Sequence, residues 1–457
     1  MKKKLYFIAI AFLGVMGISN AQTDEECRRN LSLYGQDAHP NVKNYDAAYE
    51  PWKQVFENCP GMHSGNYTYG VLILKHNIKN SSGAEKEGYV KMLMGLYDTW
   101  STHFPAKTSL AKTIIKKVMF QYDQKTISKE DIYSQLHKAF TEDKEHFQHS
   151  KALYLYFSSL VDLHKAGKAD LQTVFDAYDD VTEKIEVENR KLTDKIAKLL
   201  PKEDAGTLTS REKRSLKINR NNSGNYGKIA GSVDTKLGKL ADCENLIPLY
   251  QKSFDAKQND LKWVKRAVGR MYAKDCIDDP MFRKLFEKQL AMEPSASAYL
   301  YSAALKLKSG DSNGALKDFT KASELETDTY KKSNILYQIA VRYRRISKST
   351  SRTYARKALD VNPSNGKAYL LIAGLVASSA NQCGTTSFEK RATYWKAANI
   401  AAKAGRVDPS LKGKSAQAVR SYTAKAPSKS DIFSNNMQGK TITFKCWVGG
   451  SVKVPNL

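Results

Sequence analysis

Four segments of this chain repeat one spacing of small and bulky residues that suits only closely packed helices. A small residue is followed four positions on by a bulky or small one. A third comes three positions later, and proline often five after that. The segments read Ala48, Trp52, Val55, Pro60 and Ala315, Phe319, Ala322, with Thr327 in the proline position. The spacing returns as Ser351, Ala355, Ala358, Pro363 and as Ala397, Ala401, Ala404, Pro409. Intervals of four and three residues place the three positions on one face of a helix. Small side chains there let a neighbouring helix approach, the aromatic fills the hole beside them, and proline stops the helix. A helix pair built this way cannot bury its face alone, so its repeats must stack.

The chain opens Met1-Lys2-Lys3-Lys4, runs apolar from Leu5 to about Met16, and reaches small residues at Ser19 and Ala21. That order predicts a secretory signal peptide over residues 1–21, cut before Gln22. The apolar run falls short of the roughly 20 residues a membrane span needs, and Cys27 lies too far on to carry a lipid. Net charge is +26 for the whole chain, and residues 389–457 hold 13 Lys or Arg against 3 Asp or Glu. Such an excess attracts polyanions without choosing a fold. Export turns the expected polyanions toward envelope polymers, lipid headgroups and acidic proteins, and away from nucleic acid.

All six cysteines lie beyond the expected cut, and an even number in an exported chain predicts disulfides. Cys27 opens one expected helix and Cys59 ends the helix that packs back on it. Cys243 and Cys276 repeat the arrangement at nearly the same separation, which leaves Cys383 with Cys446. No pair has the C-x2-C spacing of a zinc site.

Along the chain, residues 24–60 read as helix, loop, helix, and Tyr67 to Trp100 as a second, degraded pair with Gly70 at a close helix contact. Residues 107–200 continue helical, with Phe120, Tyr122, Ile132, Leu136, Phe140, Leu153, Tyr154, Phe157 and Leu160 as expected core. Thr173 to Leu200 forms one long amphipathic helix ended by Pro201. Residues 201–240 lose the apolar period, gain Gly206, Gly224, Gly227 and Gly231, and read as a basic linker. Asp242 then caps a new helix, and the clearest repeats run from Pro294 to Pro409. Alternation from Lys440 to Val448 and again after Gly449-Gly450 predicts a β-hairpin, clipped by Cys446–Cys383 as a cap on the open apolar end. The resulting division is 22–200 for an N-terminal lobe, 201–240 for the linker, 241–425 for a C-terminal lobe and 426–457 for the hairpin.

Motifs for chemistry are few. His146 and His149, beside Glu142 and Glu145, have a spacing that could hold a metal, but a solvated helix face explains them better. There is no Gly-rich phosphate loop, no G-x-S-x-G elbow and no H-E-x-x-H helix. No cofactor, metal or catalytic set is expected. The densest functional feature is Arg342, Arg344, Arg345, Lys348, Arg352, Arg356 and Lys357, with only Asp360 nearby in sequence to oppose them. They read equally as a docking surface for an acidic partner and as a solvated convex face. Some of the 25 tyrosines are expected to line the groove.

The spacing of the opening segments is the second-helix signature of a tetratricopeptide repeat. Asn44-Tyr45-Asp46-Ala47-Ala48-Tyr49-Glu50-Pro51-Trp52 with Glu57-Asn58-Cys59-Pro60 resembles the opening repeat of exported tetratricopeptide-repeat proteins of the Bacteroidetes type. Asp242 to Tyr250 and Gly439 to Val448 are similar to their later landmarks. The resemblance implies an all-α helical-hairpin solenoid in two lobes with a small C-terminal β-hairpin, living in the periplasm or on the outer membrane; it implies no activity. The expected function is a non-catalytic scaffold for protein partners in the cell envelope. The alternative is a binder of anionic envelope polymers or lipid headgroups through its basic surfaces.

Overall fold

The computed structural model describes residues 24–456; the expected signal peptide lies outside them. Helices dominate, and the chain forms two compact units that divide between Leu163 and His164. The sequence reading put that division near residue 200. Among the described residues no helix is long and apolar enough to cross a membrane.

The first unit is a run of antiparallel helices: α1 (residues 24–37), α2 (Tyr45–Asn58), α3 (Gly65–Asn80), α4 (Gly83–His103), α5 (Leu110–Gln124), α6 (Lys129–Glu142) and α7 (Ser150–Lys165). Trp52 is fully buried, and its indole Nε1 donates to the Asn66 carbonyl at 2.7 Å. Gly70 faces that indole, and a Cβ there would sit 2.6 Å from it, so glycine is what lets α3 lie against α2. Tyr67 stacks on Trp100 with centroids 5.7 Å apart. Of the expected core in residues 107–163, Tyr122 is exposed under the Lys151 ammonium and Tyr154 is half-buried.

The second unit is built on α8 (Leu171–Asp204), α9 (Ser210–Leu237), α10 (Cys243–Lys257), α11 (Leu261–Ala273), α12 (Pro280–Met292), α13 (Ala296–Lys308), α14 (Ser312–Leu325), α15 (Thr329–Tyr343), α16 (Lys348–Val361), α17 (Gly366–Ala377), α18 (Ser387–Val407), α19 (Lys412–Thr423) and α20 (Lys429–Ser434). Helices α11 to α18 pair as four successive hairpins, the tetratricopeptide-like arrangement expected. All twelve residues of the opening spacing, proline positions aside, are fully buried on α2, α14, α16 and α18. Neighbouring helices are then close enough for side chains to satisfy backbone carbonyls that water cannot reach. Ser351 Oγ donates to the Ala340 carbonyl of α15, Ser333 Oγ to Ala358 of α16, and Ser415 Oγ to Ala401 of α18, at 2.6–2.7 Å.

Helix α8 is the spine of this unit. Arg266 and Arg270 of α11 pair with Asp180 and Asp179, and Arg190 reaches Asp328 at the head of α15 at 3.1 Å. Asn189 Nδ2 donates to Asp408 beyond α18 at 3.4 Å. Pro201 does not end the helix, which runs on to Asp204, and α8 turns off at Gly206, whose φ is +70°.

The expected linker is mostly helix α9, running back along α8. Thr209 and Glu212 form a capping box, each side chain satisfying the other's backbone N–H. Of the glycines that argued for a loop, Gly224 and Gly227 lie against the Pro409–Ser410 backbone. A Cβ at Gly227 would run into the Ser410 carbonyl, and one at Gly224 would sit 3.6 Å from that of Pro409. Gly227→Ala should therefore lower stability by about 1–3 kcal/mol. Gly231→Ala, where an added Cβ meets nothing within 4 Å, should be neutral or stabilising by up to ~1 kcal/mol. Urea midpoints of the two variants check this; equal shifts would remove close packing as the reason for glycine at 227.

The three disulfides are Cys27–Cys59 and Cys243–Cys276, the pairs read from the helices, and Cys383–Cys446, the pair left over. The C-terminal strands β1 (Thr441–Thr443) and β2 (Ser451–Lys453) pair antiparallel, Ile442 opposite Val452. Their buried face joins the core of the α13–α18 hairpins. The hairpin holds Arg352 of α16 and Lys396 of α18 through the Trp447 and Gly449 carbonyls. It thus lies against α16 and α18.

Candidate functional site

The first helices of three successive hairpins, α11, α13 and α15, line a cleft of about 550 Å3. Each is started by a side chain that accepts a backbone N–H: Asp260, Ser295 and Asp328. The walls carry Tyr272, Tyr301 and Tyr337, with Gln338, Arg342, Arg344 and Arg345 from the last turns of α15 and the residues after it. Gly269 on α11 leaves room for the Tyr301 hydroxyl, which a Cβ would approach to 3.3 Å.

The cleft is organised around one cation. Arg342 Nε donates to Tyr272 Oη at 3.0 Å, its guanidinium lies 4.3 Å from the centre of that ring, and it pairs with Asp275 at 3.5 Å. Tyr272 packs on Tyr301 with centroids 4.7 Å apart. Burial pushes the hydroxyls of all three tyrosines above the ordinary phenol range, with Arg342 and Arg344 opposing it at Tyr272 and Tyr337. They therefore stay protonated and able to donate. Asp275, the carboxylate at the edge, is 72 % exposed and already opposite Arg342. Flat aromatic faces, phenol donors and guanidinium forks recognise extended peptide and carboxylate groups.

The basic cluster read from sequence divides here. Arg342, Arg344 and Arg345 line the cleft. Lys348 donates to the Ser378 carbonyl at 2.9 Å, Arg352 to that of Trp447, and Lys357 lies 5.1 Å from the centre of the Tyr354 ring. Arg356 is exposed on α16. The seven cations thus divide into three at the cleft and four on α16, of which Arg352 reaches the β-hairpin and Lys348 the end of α17. His146 and His149 do not share a helix face. His146 ends a short 3-10 turn and pairs with Asp143 at 2.6 Å, whereas His149 Nδ1 accepts the Ala152 N–H at the start of α7. Among the described residues no group of three or more His, Cys, Asp or Glu is placed to hold a metal ion.

Sequence reasoning did not single out Tyr272, Tyr301 or Tyr337. They fall eleven, five and eight residues into α11, α13 and α15, so no repeat-to-repeat register marks them. They meet because neighbouring helices are offset.

No protein-family model matches this chain, and no curated protein does. Its structure is similar to several solved ones. A tetratricopeptide repeat protein from Parabacteroides merdae is 12% identical, with 68% of this chain and 97% of that one covered and a TM-score of 0.25. Yeast Tom70 is 11% identical over 91% of this chain and 97% of its own, at a TM-score of 0.25. The Cut9–Hcn1 hetero-tetramer of the APC/C is 13% identical over 86% of each chain, at a TM-score of 0.27.

Proposed function

We propose that this protein is a non-catalytic, exported scaffold of the cell envelope that holds an acidic segment of a partner protein in the α11–α13–α15 cleft. The observation that carries the reading is the Arg342-centred wall, where Tyr272 and Tyr301 are locked in place and Arg344 and Arg345 are left exposed at the rim. A wall already ordered spends little side-chain entropy on binding, and free guanidinium forks at its rim suit carboxylates of an extended chain. Export is supported by six cysteines committed to three disulfides, a usage typical of oxidising compartments.

Affinity capture from crosslinked envelopes with the wild-type chain should return a few stoichiometric partners. Arg344→Glu/Arg345→Glu should lose them while melting at the wild-type temperature. Capture unchanged by the double reversal would defeat the cleft reading. Capture of anionic polymer alone, weakening steeply with salt, would support the polymer-binding alternative instead.

A further inference from the structure

A second cleft of the same unit carries a different chemistry. It opens between α9, α18 and α19 and encloses about 1230 Å3, above the usual 300–1,000 Å3 of small-molecule pockets. We propose that it receives an acidic amphipathic helix of a partner protein.

The floor is low. Ala402 of α18 and Gly413, Ala416 and Val419 of α19 line it beside Ser410 and Ser415, and a Cβ at Gly413 would meet nothing within 4 Å. The lining residues of α19 recur at helical spacing, 412, 413, 415, 416, 419 and 420, as do 220, 221, 224, 225 and 228 on α9. This is how a helix presents one face to another helix. On α9 the same stripe continues to Gly227, where it already packs backbone-close against Ser410. Helix α19 thus turns Gly413, Ser415 and Ala416 toward this space, α9 turns Asn221, Gly224, Asn225 and Lys228, and α18 adds Ala402 and Gly405.

The rim decides the charge. Arg220 and Arg406 both spend their guanidiniums on Glu203, at 2.7 and 3.1 Å, and those two cations hold its carboxyl down at about 2. Lys228, Lys412 and Arg420 have no carboxylate partner among the described residues. Lys412 and Arg420 stand eight residues apart on α19, about 12 Å at 1.5 Å per residue. One small anion cannot bridge that distance, whereas carboxylates two turns apart on a docked helix can. An apolar stripe between two acidic edges is the complementary ligand, in the helix-in-groove mode.

The test uses the full mature chain and a panel of synthetic helical peptides, each with alanine and leucine along one face and glutamate flanking it at seven-residue intervals. Tight-binding panel members should lose about tenfold or more in affinity for Lys412→Glu/Arg420→Glu. They should lose as much for Ala416→Trp, which fills the floor without touching charge. Arg344→Glu/Arg345→Glu should bind them normally, which separates this proposal from the cleft of the preceding section. A panel with no binder overturns the proposal. So does equal binding of the same peptides broken by a central proline, since the helix is then irrelevant. Binding of polyphosphate or anionic-lipid vesicles that Ala416→Trp leaves intact, with peptide displaced by them, would overturn it in favour of a surface polyanion site. Thermal melts of each variant exclude misfolding as the cause.

Discussion

Replacing Cys383 and Cys446 together by serine should cost about 4 kcal/mol of stability in the second unit, by the loop-entropy account. The bridge joins residues 63 apart in sequence, and that length sets the size of the effect. The consequence should also be local. Two strands of three residues each are too short to stand alone, so the β-hairpin keeps its place by the bridge and by burying Ile442, Phe444, Val448, Val452 and Val454. Without the bridge, the segment after α20 should open in excess of global unfolding. Limited proteolysis should then cut Cys383→Ser/Cys446→Ser first beyond Gly439, while Cys243→Ser/Cys276→Ser keeps that segment protected. Equal protection in both variants would mean that packing alone holds the hairpin. A second consequence follows for Arg352 and Lys396, whose donors are held by the Trp447 and Gly449 carbonyls. Freed from the hairpin, two partly buried cations near Arg356 would repel one another, and burial already depresses both.

Which parts of this molecule were legible depends on whether packing left a local trace. The small-residue spacing was readable because helix contact distance dictates side-chain size, and all of its positions are buried. The pairs Cys27–Cys59 and Cys243–Cys276 followed from the same hairpins, since a helix and its return bring the flanking residues together, and Cys383–Cys446 was what remained. Helix α9 was misread for a physical reason. Glycine and asparagine are weak helix formers, and the residues that justify Gly224 and Gly227, Pro409 and Ser410, lie about 180 positions away in sequence. The local signal that would have found it is the Thr209–Glu212 capping box, with Gly224, Gly227 and Gly231 at intervals of three and four. Of the cleft, only Arg342, Arg344 and Arg345 showed, as a run of charge. Tyr272 and Tyr301 come from other hairpins, and their alignment with α15 belongs to the stacking of helices. The same holds for the second cleft, whose walls lie on α9, α18 and α19.

Truncating Arg270 to alanine should be the most damaging change of a single side chain, at about 3–5 kcal/mol, the usual cost of stranding one member of a buried ion pair. Arg270 is only 6 % exposed. It donates to Asp179 of α8, to the Tyr250 hydroxyl of α10 and, at 3.2 Å, to the Phe175 carbonyl, and it lies 4.6 Å from the centre of the Phe175 ring. One guanidinium therefore ties three helices. Its removal leaves Asp179 with only Arg266, 3.7 Å away and already shared with Asp180, and leaves the Tyr250 hydroxyl without its donor. The ion pair itself need not stabilise the fold, because desolvating two charges offsets much of their attraction. The double variant Arg270→Met/Asp179→Asn should accordingly be less destabilised than Arg270→Ala alone, with a coupling of about 1–3 kcal/mol in a double-mutant cycle. Urea denaturation of the two singles and the double measures it. Additive losses would show that Arg270 acts through its stem packing on Phe175 and Tyr250, and that its pair with Asp179 does not hold α8 to α11.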